Sequence, residues 1–286
     1  MRRQLRVVPL MVVWAAVAGG MAAALRAQPP NAGDYSAAEH ELVEFRNEMV
    51  PMRDGVKLAI DIFRPEGEGR FPVVLSQIPY NKNGGAGRAR WLAARGYAVV
   101  NADVRGRYAS EGNWDPCDPK RKTDGYDLVE WLARQPWSTG KVGTWGLSYM
   151  GRTQWWTANA APPSLVCMVP EVAPPDHFFN VPYQHGILVG GSLDWISLNA
   201  GRTQVDGPNG GFAKTRFDDF MHTPYIEVGK RRNLVNPIWF ETWIRENLST
   251  APYWQAISYQ GKENYAKVKV FWFSATLSLG VLELAS

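Results

Sequence analysis

The segment Gly143-Thr144-Trp145-Gly146-Leu147-Ser148-Tyr149-Met150-Gly151 constrains the chain more than any other. An apolar, strand-like lead-in at 142–145 runs into a glycine-flanked serine, and helix-forming sequence follows at once. A strand, a sharp turn and a helix in that order lift a serine hydroxyl clear of the sheet edge, the setting in which serine serves as a nucleophile. The usual spacing is G-x-S-x-G. Here Met150 stands two residues after the serine and glycine comes third.

The surrounding pattern extends this to a whole domain. Segments 41–50 and 56–63 alternate in polarity around Arg53-Asp54-Gly55, which predicts a β-hairpin. Short apolar, β-branched runs at 71–76, 97–104, 141–147 and 165–169 predict buried strands. Helices are expected over 88–95 (capped by Gly96), 122–134 and 149–161. Alternating strands and helices imply a parallel sheet covered on both faces, made mixed by the hairpin. With the serine turn, this is the α/β-hydrolase plan.

From 174 to 267 the alternation gives way to a stretch rich in aromatics, Pro and Gly, with helical pieces at 217–222 and 237–247. An insertion forming a helical cap over the site accounts for it, because long connections in compact domains are functional or carry structure of their own. Segment 268–273 resumes the sheet. The expected organisation is therefore a core over 40–173, a cap insertion over 174–267, and a resumed core strand with a divergent tail over 268–286.

The N-terminus carries a basic start (Arg2, Arg3, Arg6), an apolar run over 7–25 and the small residue Ala27. This predicts a secretory signal peptide over 1–27 and a periplasmic or secreted product without stable membrane insertion. Cys117 and Cys167 fall where a disulfide is chemically permitted, and two unpaired thiols are favoured. No Cys/His spacing resembles a metal site and no cofactor is implied. A net charge of +4 with scattered basic residues gives no nucleic-acid footprint.

Several ordered pieces share a family pattern: 52–58, Pro79-Tyr80-Asn81-Lys82, Asp103-Val104-Arg105-Gly106-Arg107, 110–112, 124–127, Gly143 to Gly151, and Tyr253-Trp254-Gln255. Together they resemble the cocaine esterase, α-amino-acid ester hydrolase and X-Pro dipeptidyl-peptidase group of α/β hydrolases. That group uses G-x-S-Y-x-G, which accommodates Met150. The resemblance implies Ser148 as nucleophile and an oxyanion hole from the Tyr149 N–H and the Tyr80 hydroxyl, each donor worth roughly 3–4 kcal/mol in the transition state. Asp103, Arg105 and Arg107 are read as structural ion pairs holding a loop.

A nucleophilic serine also needs a base and an acid, in the order Ser, Asp or Glu, His. The resemblance fades after Lys269, where the group would place a Gly-Trp-x-Asp-like segment, so the expected sheet is truncated before its last strands. The sequence has His40, His177, His185 and His222, of which Asp176-His177 is the most tempting pair, and Glu283 is a poor candidate acid. The expectation is a serine hydrolase acting on acyl esters, amides or X-Pro peptides, impaired because acid and histidine are missing. The alternative is a non-catalytic remnant or binding protein that keeps the pocket. Phe178, Phe179, Tyr183, Trp195, Trp239, Phe240, Trp243, Tyr253 and Trp254 suggest an apolar acyl pocket, at least half of them serving as cap core. The resemblance implies that clustered carboxylates hold a substrate ammonium in the α-amino-acid ester hydrolases; Glu171, Asp176 and Asp194 lie in that region, with no one of them assigned.

Overall fold

The computed structural model describes residues 35–173, 182–184, 186–188, 195, 198–204, 224–227, 238–258 and 268–270. Residues Ala38–Ser274 make one compact unit, and the remainder of the chain lies almost wholly outside the described residues. The predicted signal peptide, the 217–222 helix, His177, His185, His222, Asp176, Asp194 and Glu283 therefore fall outside the description, as does the end of the strand predicted at 268–273.

Within that unit the strands are β1 (Leu42–Pro51), β2 (Lys57–Pro65), β3 (Phe71–Ile78), β4 (Ala98–Asp103), β5 (Ser138–Leu147), β6 (Leu165–Glu171), β7 (Tyr183–Gln184), β8 (Ile187–Leu188) and β9 (Lys269–Val270). The helices are α1 (Ala86–Ala93), α2 (Lys120–Ala133), α3 (Tyr149–Asn159), α4 (Ile238–Arg245) and α5 (Pro252–Ile257). Seven strands form one sheet in the order β1-β2-β4-β3-β5-β6-β9, while β7 and β8 pair separately. The β1–β2 and β2–β4 pairs are antiparallel and the other neighbours in the large sheet are parallel. This is the mixed, mostly parallel α/β-hydrolase sheet that the alternation predicts.

The hairpin turns where Gly55, at φ +84°, supplies a conformation that side chains disfavour. Its strands slip register between Phe45 and Glu48, and Asn47 in that bulge donates its N–H to the Asp61 carboxylate at 2.9 Å. One sheet face, with Val73, Leu75, Val100, Val142 and Met168, packs on Leu128, Val129 and Leu132 of α2 and Ala158 of α3. Helices α2 and α3 approach closely at Gly125, where a Cβ would lie 1.9 Å from the Thr157 hydroxyl. The other face packs Phe63 and Val99 on the alanines of α1, Ala86, Ala89 and Ala93. Small side chains there let the helix sit close to the sheet.

A second apolar cluster joins Cys117 and Tyr183 to Trp239, Phe240, Trp243, Trp254 and Ile257. Of the aromatics expected to line a pocket, Tyr183, Trp239, Phe240, Trp243 and Trp254 are thus buried in an apolar cluster. Tyr183 donates its hydroxyl to the Trp243 carbonyl at 2.7 Å, which satisfies the one polar atom it buries. No helix among the described residues is long and apolar enough to cross a membrane.

Candidate active site

The chain direction reverses about β3. It passes from β3 to β4 on one side, then returns to β5 on the other. In open α/β sheets, ligands bind outside the carboxyl ends of strands at such a switch point. Tyr80 follows β3 and Ser148 follows β5, so both lie at that end of adjacent parallel strands.

Ser148 occupies φ +55°, ψ −121°, a backbone state unusual for a side-chain-bearing residue. Its N–H donates to the Glu171 carbonyl at 2.9 Å, and its own carbonyl accepts from the Gly151 and Arg152 amides at 3.0 and 3.1 Å. The residue is thus pinned between the end of β6 and the first turn of α3. Two glycines permit the tightness: a Cβ on Gly146 would lie 2.5 Å from the Met150 Cβ, and one on Gly151 would lie 2.3 Å from the Ala173 Cβ. This is the physical reason for a glycine three residues beyond the serine, where α3 crosses β6.

Gln154, 1% exposed, supports the turn from below. Its amide nitrogen donates to the carbonyls of Gly146, Met150 and Val169, each at 3.1 Å. Its oxygen accepts from the Thr144 hydroxyl and from the Val169 N–H at 2.9 Å. One side chain therefore ties β5, α3 and β6 together. Sequence reasoning missed it. The available signal was a polar residue on the same helical face as apolar neighbours.

The Ser148 side chain is exposed, whereas that of Tyr149 is buried. Tyr149 donates its hydroxyl to the Pro116 carbonyl at 2.8 Å and stacks on Trp195 with ring centroids 6.0 Å apart and 14° between planes. Its N–H is the first amide of α3, one of the four that a helix cannot pair internally, and it sits at the positive end of the helix dipole.

The Tyr80 hydroxyl accepts from the Trp195 indole N–H at 3.0 Å. Burial pushes its phenol above the usual range, while the Trp195 and Ser148 side chains pull the other way. The phenol thus keeps its proton at neutral pH and is equipped to donate. Ser148 and Tyr149 follow β5 and Tyr80 follows the adjacent β3, so all three lie at the carboxyl end of neighbouring strands.

The loop carrying Tyr80 is anchored by buried charge. Asn81 adopts φ +85° and accepts the Asn83 N–H at 3.1 Å. Lys82, 3% exposed, donates from Nζ to Asn47 Oδ1 at 2.7 Å and lies 3.2 Å from the Asp61 carboxylate. Its N–H donates to Asp103 at 2.7 Å. Burial raises the Asp103 carboxyl above its ordinary value, while the Lys82 and Ala109 amides pull the other way.

Arg105 is the ion-paired residue expected, bridging Asp54 and Asp124 at 2.9 and 2.5 Å. Arg107 departs from expectation. It is fully buried and spends its donors on carbonyls, those of Pro79 (2.8 Å) and Asn199, Gly201 and Thr203, and on Asn199 Oδ1 (3.1 Å). A planar, five-donor cation suits such a convergence of carbonyl oxygens.

His40 lies edge-on to Phe71, at the start of β3, and beside Gly96, just before β4. It is at the opposite end of the strands from Ser148. Glu171 accepts the Trp145 indole N–H at 2.7 Å, and the Arg88 guanidinium covers that indole at 4.1 Å. Both cysteines are free thiols. Cys117 is buried as a small hydrophobe, whereas Cys167, expected to be buried, is half-buried against Gly143. Among the described residues, no group of three His, Cys, Asp or Glu side chains could hold a metal ion.

The sequence model of the X-Pro dipeptidyl-peptidase (S15 family) matches residues 54–278. A cocaine esterase from Rhodococcus sp. (strain MB1 Bresler) is 38% identical over 174 residues, covering 58% of this chain and 29% of the esterase. A putative serine esterase from Mycobacterium tuberculosis (strain CDC 1551 / Oshkosh) is 33% identical over 160 residues, covering 46% of this chain and 25% of that protein. Among solved structures, an alpha-amino acid ester hydrolase superposes with a TM-score of 0.68 at 24% identity, over 87% of this chain and 45% of its own. A CocE/NonD family hydrolase from Staphylococcus aureus gives 0.58 at 28% identity, over 77% and 39%. The chain thus spans less than a third of these curated relatives and under half of these solved chains.

Proposed function

The chain belongs to the X-Pro dipeptidyl-peptidase (S15) family, and on that premise we propose that it carries the nucleophile and oxyanion hole of a serine hydrolase acting on acyl esters, amides or X-Pro peptides. Ser148 Oγ attacks the acyl carbonyl and its proton passes to a base. The carbonyl oxygen becomes an oxyanion that accepts from the Tyr149 N–H and the Tyr80 hydroxyl. Collapse expels the alcohol or amine and leaves an ester on Ser148, which water then cleaves. The observation carrying this reading is Ser148, exposed and held at φ +55° in the strand–helix turn, at the same end of adjacent parallel strands as Tyr80.

Among the described residues, His40 is the one histidine. His40 sits at the far end of the sheet. The amino-terminal residues 1–27 support export as a further part of the proposal. Edman sequencing of the mature protein from a cell envelope fraction would test it, and retention of Met1 on the mature chain would refute it.

A fluorophosphonate probe tests the central claim. Slow labelling of the purified protein, absent in Ser148→Ala, is expected. Labelling that persists in Ser148→Ala, or none at all in the native chain, sinks it. A complete lack of labelling would favour a binding protein that keeps the pocket.

A further inference from the structure

Two groups bear on the Tyr80 hydroxyl, and each constrains it differently. The Trp195 indole can only donate, so the Tyr80 oxygen must act as acceptor on that side, at 3.0 Å. Ser148 ends the strand next to the one that Tyr80 follows, and its hydroxyl counters the rise that burial gives the phenol. A phenol has one proton. With an indole N–H occupying a lone pair, that proton is left to point toward Ser148, which is the direction an oxyanion donor needs.

Trp195 is itself held. Its ring stacks on Tyr149 and packs at 6.4 Å on Trp114. Its carbonyl accepts from Asn199 Nδ2 at 2.9 Å. Asn199 Oδ1 accepts from Arg107, whose Nε donates to the Pro79 carbonyl at 2.8 Å. Pro79 is covalently joined to Tyr80, so the path closes on itself: Tyr80 to Trp195 to Asn199 to Arg107 to Pro79 and back. Asn199 and Arg107 are 1% and 0% exposed.

Resting on the serine-hydrolase reading above, we propose that Trp195 is a positioning residue whose indole N–H orients the Tyr80 hydroxyl toward the reacting oxygen, with Arg107 and Asn199 fixing both ends of that bond. The insertion following β6 then does more than roof the site. It completes the oxyanion hole, and the hole is fully formed only when Trp195 and residues 199–203 are docked on the Tyr80 loop.

The test uses Trp195→Phe, which keeps an aromatic ring on Tyr149 and removes only the donor. In 15N-tryptophan-labelled protein, the Trp195 indole N–H is expected to be protected from solvent exchange and to lose that protection in Tyr80→Phe. This readout is independent of catalysis. In fluorophosphonate labelling, Trp195→Phe is expected to be about 5–20-fold slower than the native chain, with unchanged far-ultraviolet circular dichroism. The double variant Trp195→Phe/Tyr80→Phe should be no slower than Tyr80→Phe, because both act through one hydroxyl. A native labelling rate in Trp195→Phe while Tyr80→Phe is slowed would overturn the proposal and leave the hydrolase reading standing. Fully additive losses, or an indole N–H indifferent to Tyr80→Phe, would also overturn it. Labelling unaffected by Ser148→Ala, or absent from the native chain, would remove both readings together.

Discussion

The amide of Ser148 hangs from the carbonyl of Glu171 at 2.9 Å, so the last residue of one strand sets the backbone of the turn that ends its neighbour. The serine is held by the sheet rather than by its own preferences, and its φ of +55° is sustained against a local cost.

That cost is measurable. Glycine adopts positive φ freely, so Ser148→Gly is expected to be about 1 kcal/mol more stable than Ser148→Ala. Both variants lose the hydroxyl, and urea unfolding compares them directly. Equal midpoints would mean that the turn is unstrained.

Gly151 offers no such freedom. An added Cβ would meet the Ala173 Cβ at 2.3 Å and the Glu171 and Gly146 carbonyls at 3.2 Å. Gly151→Ala should cost about 1–3 kcal/mol, as overpacked sites do. It should also slow fluorophosphonate labelling by displacing α3 from β6. Native stability in the alanine variant would show that the crossing yields easily.

Gln154→Leu should be among the most damaging single changes near the site. It leaves the buried Val169 N–H and several carbonyls without the partner they have now. A loss of about 3 kcal/mol is expected. Differential scanning calorimetry would detect it as a lowered Tm, and an unchanged Tm would mean that water or the backbone takes over those bonds.

Asp54 gives a pH signature. The Arg105 guanidinium holds its carboxyl below the usual range, with the Val56 amide and Lys120 adding to the effect. A depressed folded value stabilises the fold above the unfolded value and loses that contribution as pH falls below about 4. The stability gap between the native chain and Asp54→Asn should therefore narrow between about pH 6 and pH 3. The Asp54 side chain is 34% exposed, so added salt should shrink the gap as well. A gap constant with pH would contradict the assignment.

The strands were legible because their apolar runs are short and bounded by turn residues, and six of them fall where the periodicity puts them. The helix predicted over 88–95 runs over Ala86–Ala93 instead, and Gly96 at φ +90° lies beyond its end rather than next to it. Ser148, Tyr80 and Tyr149 could be named from their motifs. That Tyr80 and Ser148 follow neighbouring strands could not be read from spacing, since it depends on β3 being the strand next to β5. Gln154 and Arg107 were less legible still. Gln154 carries no motif and Arg107 reads as an ion-pair partner; the crossing of α3 over β6 and the docking of 199–203 on the Tyr80 loop give them their carbonyl partners. Trp195 was visible as an aromatic of the pocket region, but an indole donor aimed at a phenol has no sequence signature.

The sheet order has a consequence for how the chain comes off the ribosome. β3 is made before β4, yet β4 is the strand that joins β3 to the β1–β2 hairpin. Until synthesis passes Asp103, the apolar run Val73-Val74-Leu75 has no neighbour on either side, and one flank stays open until β5 emerges. An unpaired, apolar strand is a template for wrong partners. The nascent chain is thus most vulnerable over the span between Phe71 and Leu147, and trigger-factor-like holdases or a slowed ribosome would act to best effect there.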